Sequence, residues 1–330
     1  MNKFKAYRIL KAGTGEDGGV TELSLGDLSQ GEVVIDAEYS GLNYKDALAV
    51  TGKGKILRKF PINAGIDVAG VVRESAASDI KVGTKVLVTG CGFGEKHDGG
   101  YSQVVRVPKE WVVPIPDTLS TKEAMIYGTA GFTAGLCIYR LQQNNQQPSK
   151  GPIVVTGASG GVGMFAVSML ASSGFSVLAV TGKPEQADRL KALGANEVLP
   201  PDELGLGQRP LESVKFGGAV DNVGGEMLEG LIRHTNLWGN IACVGLAGGS
   251  DYSSSVMPMI LRGVSLLGIS STNCERDLRD ETWQRLGGEL KPNDLESIVT
   301  ETIGLDELLS ASEKMLGRKT FGRFLVDLRK

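Results

Sequence analysis

The sequence predicts an α/β protein in two parts, a β-rich first domain followed by a doubly wound parallel sheet. Three observations predict it. The 330 residues suit two domains of ordinary size. Short Val/Ile-rich runs punctuated by Gly, Pro and Asp fill the first ~110 residues. From Thr121 onward, apolar strands alternate with helical stretches, and a glycine-rich turn joins the first such strand to its helix.

Taken in order, Gly31–Ala37, Ala69–Val72 and Thr84–Val88 read as strands with short connections. Ser120 or Thr121 with Glu123 starts a helix, and the polar stretch Asn144–Gly151 is a loop. Ile153–Val155 is a strand, Met164–Ser173 a helix stopped by Gly174, and Phe175–Val180 the second strand. Pro184 opens the next helix and Gly194 ends it. Strands follow at Gly218–Asp221, Ile241–Val244 and Ser265–Ile269. The tail, Gly322–Asp327, is a last strand that can return to the first domain.

Composition narrows the function classes. Lys and Arg number 35 against 38 Asp and Glu, a net charge of −3, so no global field favours nucleic acid or an anionic membrane surface. Apolar residues make up 41% and charged residues 22%, ordinary for a folded chain. Four scattered cysteines form no C-x-x-C pair, which fits a reducing compartment. The N-terminal MNKFKAYRIL lacks an apolar stretch behind its charges, and a cytoplasmic location is expected. Glycine, at 46 residues, is the outlier and implies many tight turns or close backbone approaches.

The turn Gly157-Ala158-Ser159-Gly160-Gly161-Val162-Gly163 leaves a strand and enters a helix. On its own such a string can be only a tight turn. In this context Gly160 admits a pyrophosphate to the backbone and Gly163 lets the helix pack closely, which is the Rossmann-type arrangement for dinucleotides. Ser159, Gly160, Gly161 and Val162 are therefore cofactor candidates. An acidic residue at the end of the second strand would accept the 2′-hydroxyl of NAD, but this chain has Thr181-Gly182-Lys183 there. A hydroxyl and an ammonium suit a 2′-phosphate, so NADPH is the expected cofactor, against the plainer reading of Lys183 as a solvated lysine.

The strings Asn43-Tyr44-Lys45-Asp46, Gly65-Ile66-Asp67-Val68-Ala69-Gly70 and Gly128-Thr129-Ala130-Gly131-Phe132-Thr133-Ala134, with the glycine turn, resemble the medium-chain dehydrogenase/reductase superfamily over nearly the whole length. The run Asn43–Lys55, with Thr156–Gly163 and Cys243–Gly249, looks like its acryloyl-CoA reductase group. The resemblance implies a GroES-like β-rich substrate domain over 1–124 with 296–330, and a Rossmann domain over 125–295. It places Leu246, Ile260 and Ser271 near the nicotinamide, with Arg318 as a further cofactor candidate.

The superfamily's zinc alcohol dehydrogenases carry Cys, His and Cys where this chain has Asn43, Ile66 and Ala130, so no metal is expected. Without a Lewis acid, the natural chemistry is hydride delivery to a C=C bond activated by a neighbouring carbonyl. Tyr44, which the resemblance sets beside the nicotinamide, can donate the proton that follows or orient a water, or can simply pack. Asn43 can polarise the carbonyl or fix Tyr44. Lys53, Lys55, Arg58 and Lys59 form either a solvated face or a landing site for coenzyme A phosphates. Cys91 and His97 lack a third group for nucleophilic catalysis.

The expected activity is an NADPH-dependent reduction of acryloyl-CoA to propionyl-CoA. A quinone or enone reductase is the alternative within the same chemistry, and a low-turnover NADPH-binding sensor or structural protein the alternative of another class. The expected partners are a small-molecule or CoA-thioester substrate and a second copy of the chain, a homodimer paired through the strand at Ser265–Ile269.

Overall fold

Val33–Leu42, with apolar residues at most of its buried positions, is the hub of the first sheet. Along one edge it pairs with Asp67–Ser75, and along the other with Val104–Val107 and then Arg323–Asp327, all antiparallel. The sheet runs in the order Val299–Ile303, Arg323–Asp327, Val33–Leu42, Asp67–Ser75, Lys85–Thr89, Val113–Pro114. The tail strand thus returns to the first unit, as the sequence predicts. A three-stranded sheet of Gly18–Leu23, Phe4–Ile9 and Ile62–Asn63 stands apart. Val33, Ile35, Val68, Val88 and Phe324 lie in the core of this unit.

The computed structural model describes residues 3–13 and 17–330. Met1 and Asn2, at the head of the N-terminal segment, lie outside the described residues. The chain divides into two compact units, residues 1–129 with 272–287 and 294–330, and residues 130–271 with 288–293. The predicted Rossmann segment, 125–295, exceeds the second unit at 125–129, 272–287 and 294–295, and the largest of these stretches carries the helix Arg276–Leu286. That helix belongs with the first unit because Tyr127 Oη donates to Leu286 O at 2.9 Å and Arg279 Nη1 donates to Thr89 O at 2.9 Å. No local pattern announces contacts of such sequence separation.

The second unit holds six parallel strands in the order Glu197–Leu199, Val177–Val180, Ile153–Thr156, Phe216–Asp221, Thr235–Cys243, Ser265–Gly268. This is the 3-2-1-4-5-6 order of the dinucleotide-binding fold, with its crevice between the first and fourth strands. Ile153–Thr156 and Val177–Val180 are buried throughout, which is why they read as continuous apolar runs. The predicted helix at Met164 begins earlier, at Gly161. The predicted helix after Pro184 is a 3₁₀ turn, Pro184–Gln186, leading into Ala187–Ala192.

The helix Thr121–Gln143 starts as the sequence predicts, because the Ser120 N–H and hydroxyl donate to Glu123 Oε2 at 2.8 and 2.9 Å. It breaks at Gly128, whose φ of 48° and ψ of −151° are not helical. Among the described residues no helix is long and apolar enough to cross a membrane.

Candidate functional site

In the second unit the glycine turn lies at the carboxyl end of the first parallel strand. Gly160 N–H donates to Gly157 O at 2.9 Å, and Gly160 then leads, in extended conformation, into the helix Gly161–Ser172. No side chain caps this helix. Its first N–H groups, from Gly161 and Val162 on, are thus offered to an anion, with the helix dipole behind them. A Cβ at Gly163 would stand 2.4 Å from Gly157 O and 2.7 Å from Ala158 Cα, so only glycine lets the helix approach.

The structure brings three of the predicted cofactor residues together beside this turn. Ser159 and Thr181 share a hydrogen bond of 2.8 Å between their hydroxyls, and Lys183 N–H donates to Thr181 Oγ1 at 3.1 Å. Burial pulls the Lys183 ammonium below its ordinary range, with Glu185 acting against the shift. Gly182, between them, has open space where a Cβ would be. A hydroxyl pair, a half-buried ammonium and an uncapped helix end form a cradle whose chemistry fits the phosphates of a dinucleotide.

The crevice is held open by residues that local sequence reasoning missed. Asp221, buried at the end of the fourth strand, accepts from Thr156 Oγ1 at 2.6 Å and from Gly224 N–H at 2.9 Å, and burial raises its carboxyl. Asn222 Nδ2 donates to Thr156 O at 2.8 Å, tying the first strand to the fourth. The clue was the phrase Asp221-Asn222-Val223-Gly224-Gly225, a strand end followed by paired glycines. A cavity of about 540 Å³ lies on these glycines, lined by Val223–Met227, Glu229 and Gly248–Asp251, and contains none of the predicted residues.

Leu246 and Ser271 follow the fifth and sixth strands, so both lie at the carboxyl end of the sheet. Leu246 is 67% exposed. Ile260 sits on the helix Met257–Arg262, which leads into the sixth strand, and is 74% exposed. Arg318 belongs to the first unit, just after the helix Leu308–Leu316, at a φ of 56°.

In the first unit Tyr44 is the first residue of the helix Tyr44–Val50 and is 56% exposed. Its position rests on a buried polar cluster. Asn43 N–H and Nδ2 both donate to Asp46 Oδ2 at 2.9 Å, a capping box that fixes the start of the helix. The second Nδ2 hydrogen goes to Asp67 Oδ2 at 2.8 Å, and Asn43 Oδ1 accepts from Arg323 Nη1 at 2.8 Å. Both amide hydrogens of Asn43 are therefore committed, which favours the second of its two expected roles, fixing Tyr44, over donation to a substrate carbonyl.

Asp67 also accepts from Thr129 N–H at 2.8 Å and lies 3.7 Å from Arg323 Nη2. A Cβ at Gly128 would stand 2.5 Å from Asp67 Oδ2 and 2.7 Å from Arg323 Nη2, so the break in the helix there leaves room for the ion pair. Burial, and after it the Asp67 charge, push the Asp46 carboxyl up to about 7, against the hydrogen bonds from Asn43 and Ile66. Tyr101, whose hydroxyl donates to Gly41 O at 3.2 Å, is buried beside this cluster, and burial and after it the Asp46 and Asp67 charges raise its phenol.

At the three positions where metal ligands would be expected, Ile66 offers only its backbone N–H, to Asp46 Oδ1 at 2.9 Å, and Ala130 has no donor side chain. Among the described residues no three His, Cys, Asp or Glu side chains group to hold a metal. Lys53, Lys55, Arg58 and Lys59 are all exposed on the loop that leaves the Tyr44 helix. Lys59 Nζ donates to Ser29 Oγ at 2.7 Å. His97 is held between Gln30 O at 2.9 Å and Asp98 O at 3.1 Å.

Comparison with known proteins gives the following. Residues 29–117 match the alcohol dehydrogenase GroES-like domain family and residues 161–287 the zinc-binding dehydrogenase family. YhfP of Bacillus subtilis, whose name assigns it provisionally to the quinone oxidoreductases, is 44% identical over 326 residues, 98% of this chain and 99% of its own. Its crystal structure with NAD bound superposes with a TM-score of 0.95 over 99% of this chain and all of that one. The acrylyl-CoA reductase AcuI of Ruegeria pomeroyi is 43% identical over 310 residues, 94% of each chain. Escherichia coli YhdH with bound NADPH is 42% identical, with a TM-score of 0.92 over 98% of this chain and 99% of its own.

Proposed function

The chain belongs to the medium-chain dehydrogenase/reductase family, in the group that holds the acryloyl-CoA reductases and their quinone oxidoreductase-like relatives, and from that premise we propose that it reduces acryloyl-CoA to propionyl-CoA with NADPH. The observation that carries this reading is the 43% identity, over 94% of both chains, with a protein named acrylyl-CoA reductase. The glycine turn and the Ser159, Thr181 and Lys183 cluster would hold the cofactor. When bound, NADPH supplies the hydride for the β-carbon of the activated alkene. Tyr44 then holds the proton destined for the α-carbon at a phenol that Asn43 and Asp46 keep in place. The basic loop, Lys53 to Lys59, takes the coenzyme A phosphates by attraction. Leu246 and Ser271 lie at the sheet end where the nicotinamide belongs.

NADPH oxidation with acryloyl-CoA, measured beside a panel of quinones and small enones in the presence of a chelator, tests the activity. Turnover should be fastest with acryloyl-CoA and should survive chelation. Quinones turned over faster, which the likeness to YhfP would favour, would transfer the reading to the alternative substrate class. No turnover with any of them would point to a binding protein. Reversing the charge of Lys53 and Lys55 should raise KM for acryloyl-CoA while leaving that of an enone without coenzyme A unchanged.

Cofactor preference is open to a direct measurement, since the related structures hold NADPH in one case and NAD in another. NADPH should bind more tightly than NADH. Lys183→Glu should narrow or invert that gap, by removing a charge-assisted contact of about 1.5–3 kcal/mol. Equal dissociation constants for the two cofactors in the parent protein would sink the assignment.

We also infer a homodimer. Ser265–Gly268 is an edge strand of the six-stranded sheet. Trp238 is 70% exposed, packs its ring against the turn at Gly263, and with Leu237, Ile260 and Leu261 adds exposed apolar surface. Pairing this strand with its copy would satisfy the open ladder and bury such side chains. Light scattering should report a dimer at micromolar concentration, and Leu261→Glu should shift it to monomer. A monomeric parent protein would count against this assembly.

A further inference from the structure

Cys91 and Cys274 sit on two segments of the first unit that the fold joins directly. Cys91 N–H donates to Thr272 O at 3.1 Å, two residues from Cys274. Buried Arg279 ties the same segments, donating from Nη1 to Thr89 O at 2.9 Å and to Thr89 Oγ1 at 2.8 Å, and from Nη2 to Thr272 O at 3.4 Å. The two thiols lie within electrostatic reach, since Cys91 is among the groups that act on Cys274. Burial raises the Cys274 thiol, and the Arg279 guanidinium opposes the rise. Both cysteines are partly exposed, whereas Cys137 is buried. The Cys243 thiol is pushed up to about 11 by burial and by Asp221, which leaves it little thiolate.

The Cys91 loop is built tightly: Cys91 itself is in the left-handed region, at a φ of 57°, flanked by Gly90 at 71° and Gly92 at 86°, and the Cys91 N–H is held by Thr272 O on the segment that carries Cys274.

We propose that Cys91 and Cys274 form a reversible oxidation site that closes to a disulfide on reaction with hydroperoxides, a property separate from the reductase activity. The Cys91 thiolate attacks a peroxide oxygen; an S–O bond forms, the O–O bond breaks, and hydroxide (or alkoxide) leaves with the two electrons the sulfur gives up. The Cys274 thiolate then attacks that sulfur; the S–S bond forms, the S–O bond breaks, and the departing hydroxide takes up a proton as water.

Reduced, full-length enzyme exposed to hydrogen peroxide and then alkylated under denaturing conditions gives the test. Two of the four thiols should disappear, the mass should fall by that of two hydrogens, and a non-reducing digest should yield one cross-linked pair containing Cys91 and Cys274. Dithiothreitol should restore both thiols. Cys274→Ser should stop at a sulfenic acid on Cys91, trapped by dimedone, and Cys91→Ser should keep its remaining thiols under the same exposure. Survival of all four thiols in the parent, a linkage through Cys137 or Cys243, or a Cys91→Ser protein that loses thiols as fast as the parent would overturn the proposal.

Discussion

Replacing Tyr44 with phenylalanine is expected to lower kcat by about 10²–10⁴ while leaving cofactor affinity nearly unchanged, the usual range for loss of a general acid. The substitution is a clean one. The phenol is more than half exposed and makes no hydrogen bond to the described residues, so the fold loses no contact with it. The backbone at Tyr44 is set by the capping box of Asn43 and Asp46, which the variant retains. A fall in kcat therefore reports chemistry and not collapse of the helix. If the phenol only positions ligands, KM should rise and kcat should hold. Hydride addition creates an enolate that water can also protonate, so the solvent isotope effect on kcat is the second measurement. An unchanged kcat with an unchanged isotope effect would remove Tyr44 from the mechanism.

The parts of the site legible in the sequence are those whose determinants are neighbours along the chain. The glycine turn, the Ser120 and Glu123 helix start, and the Thr181-Gly182-Lys183 strand end each declare themselves within a few residues, because phosphate binding and capping are local backbone chemistry. The network under Tyr44 is different. Asn43 meets Asp67 at a separation of 24 residues and Arg323 at 280, so nothing in the Asn43–Asp46 string shows that its amide is already spent. Cys91 and Cys274 are likewise joined by a turn and a helix far apart in sequence.

Removing Arg323 should cost about 3–5 kcal/mol of stability, the range for breaking one partner out of a buried ion pair, because Asp67 would be left as an uncompensated buried carboxylate. Arg323→Met keeps the apolar stem and removes the charge. It should lower the denaturant midpoint far more than Lys3→Met, which breaks the exposed pair with Glu22. Similar small shifts for both would show that solvent or a neutralised Asp67 compensates in the buried cluster. The same cluster sets a pH dependence. Folding lifts the Asp46 carboxyl from its ordinary range to about 7, so between about pH 4 and pH 7 the native state binds a proton that the unfolded chain releases. The stabilisation from this group is complete below the ordinary carboxylate range and is lost as pH rises through about 7. The charged and titratable groups facing it are Asp67, Arg323 and Tyr101, and Asp67 acts in the same direction as burial by repelling a second negative charge. Asp46→Asn cannot titrate. It should be less stable throughout, since with its oxygen accepting from Ile66 N–H its NH2 must face the Asn43 N–H and Nδ2 donors that the second carboxyl oxygen accepts, but the difference from the parent should shrink as pH rises from about 4 to about 7. Thermal melts of both proteins across that window measure it, and a difference that stays constant with pH would show that Asp46 is ionised in the native protein across the whole range.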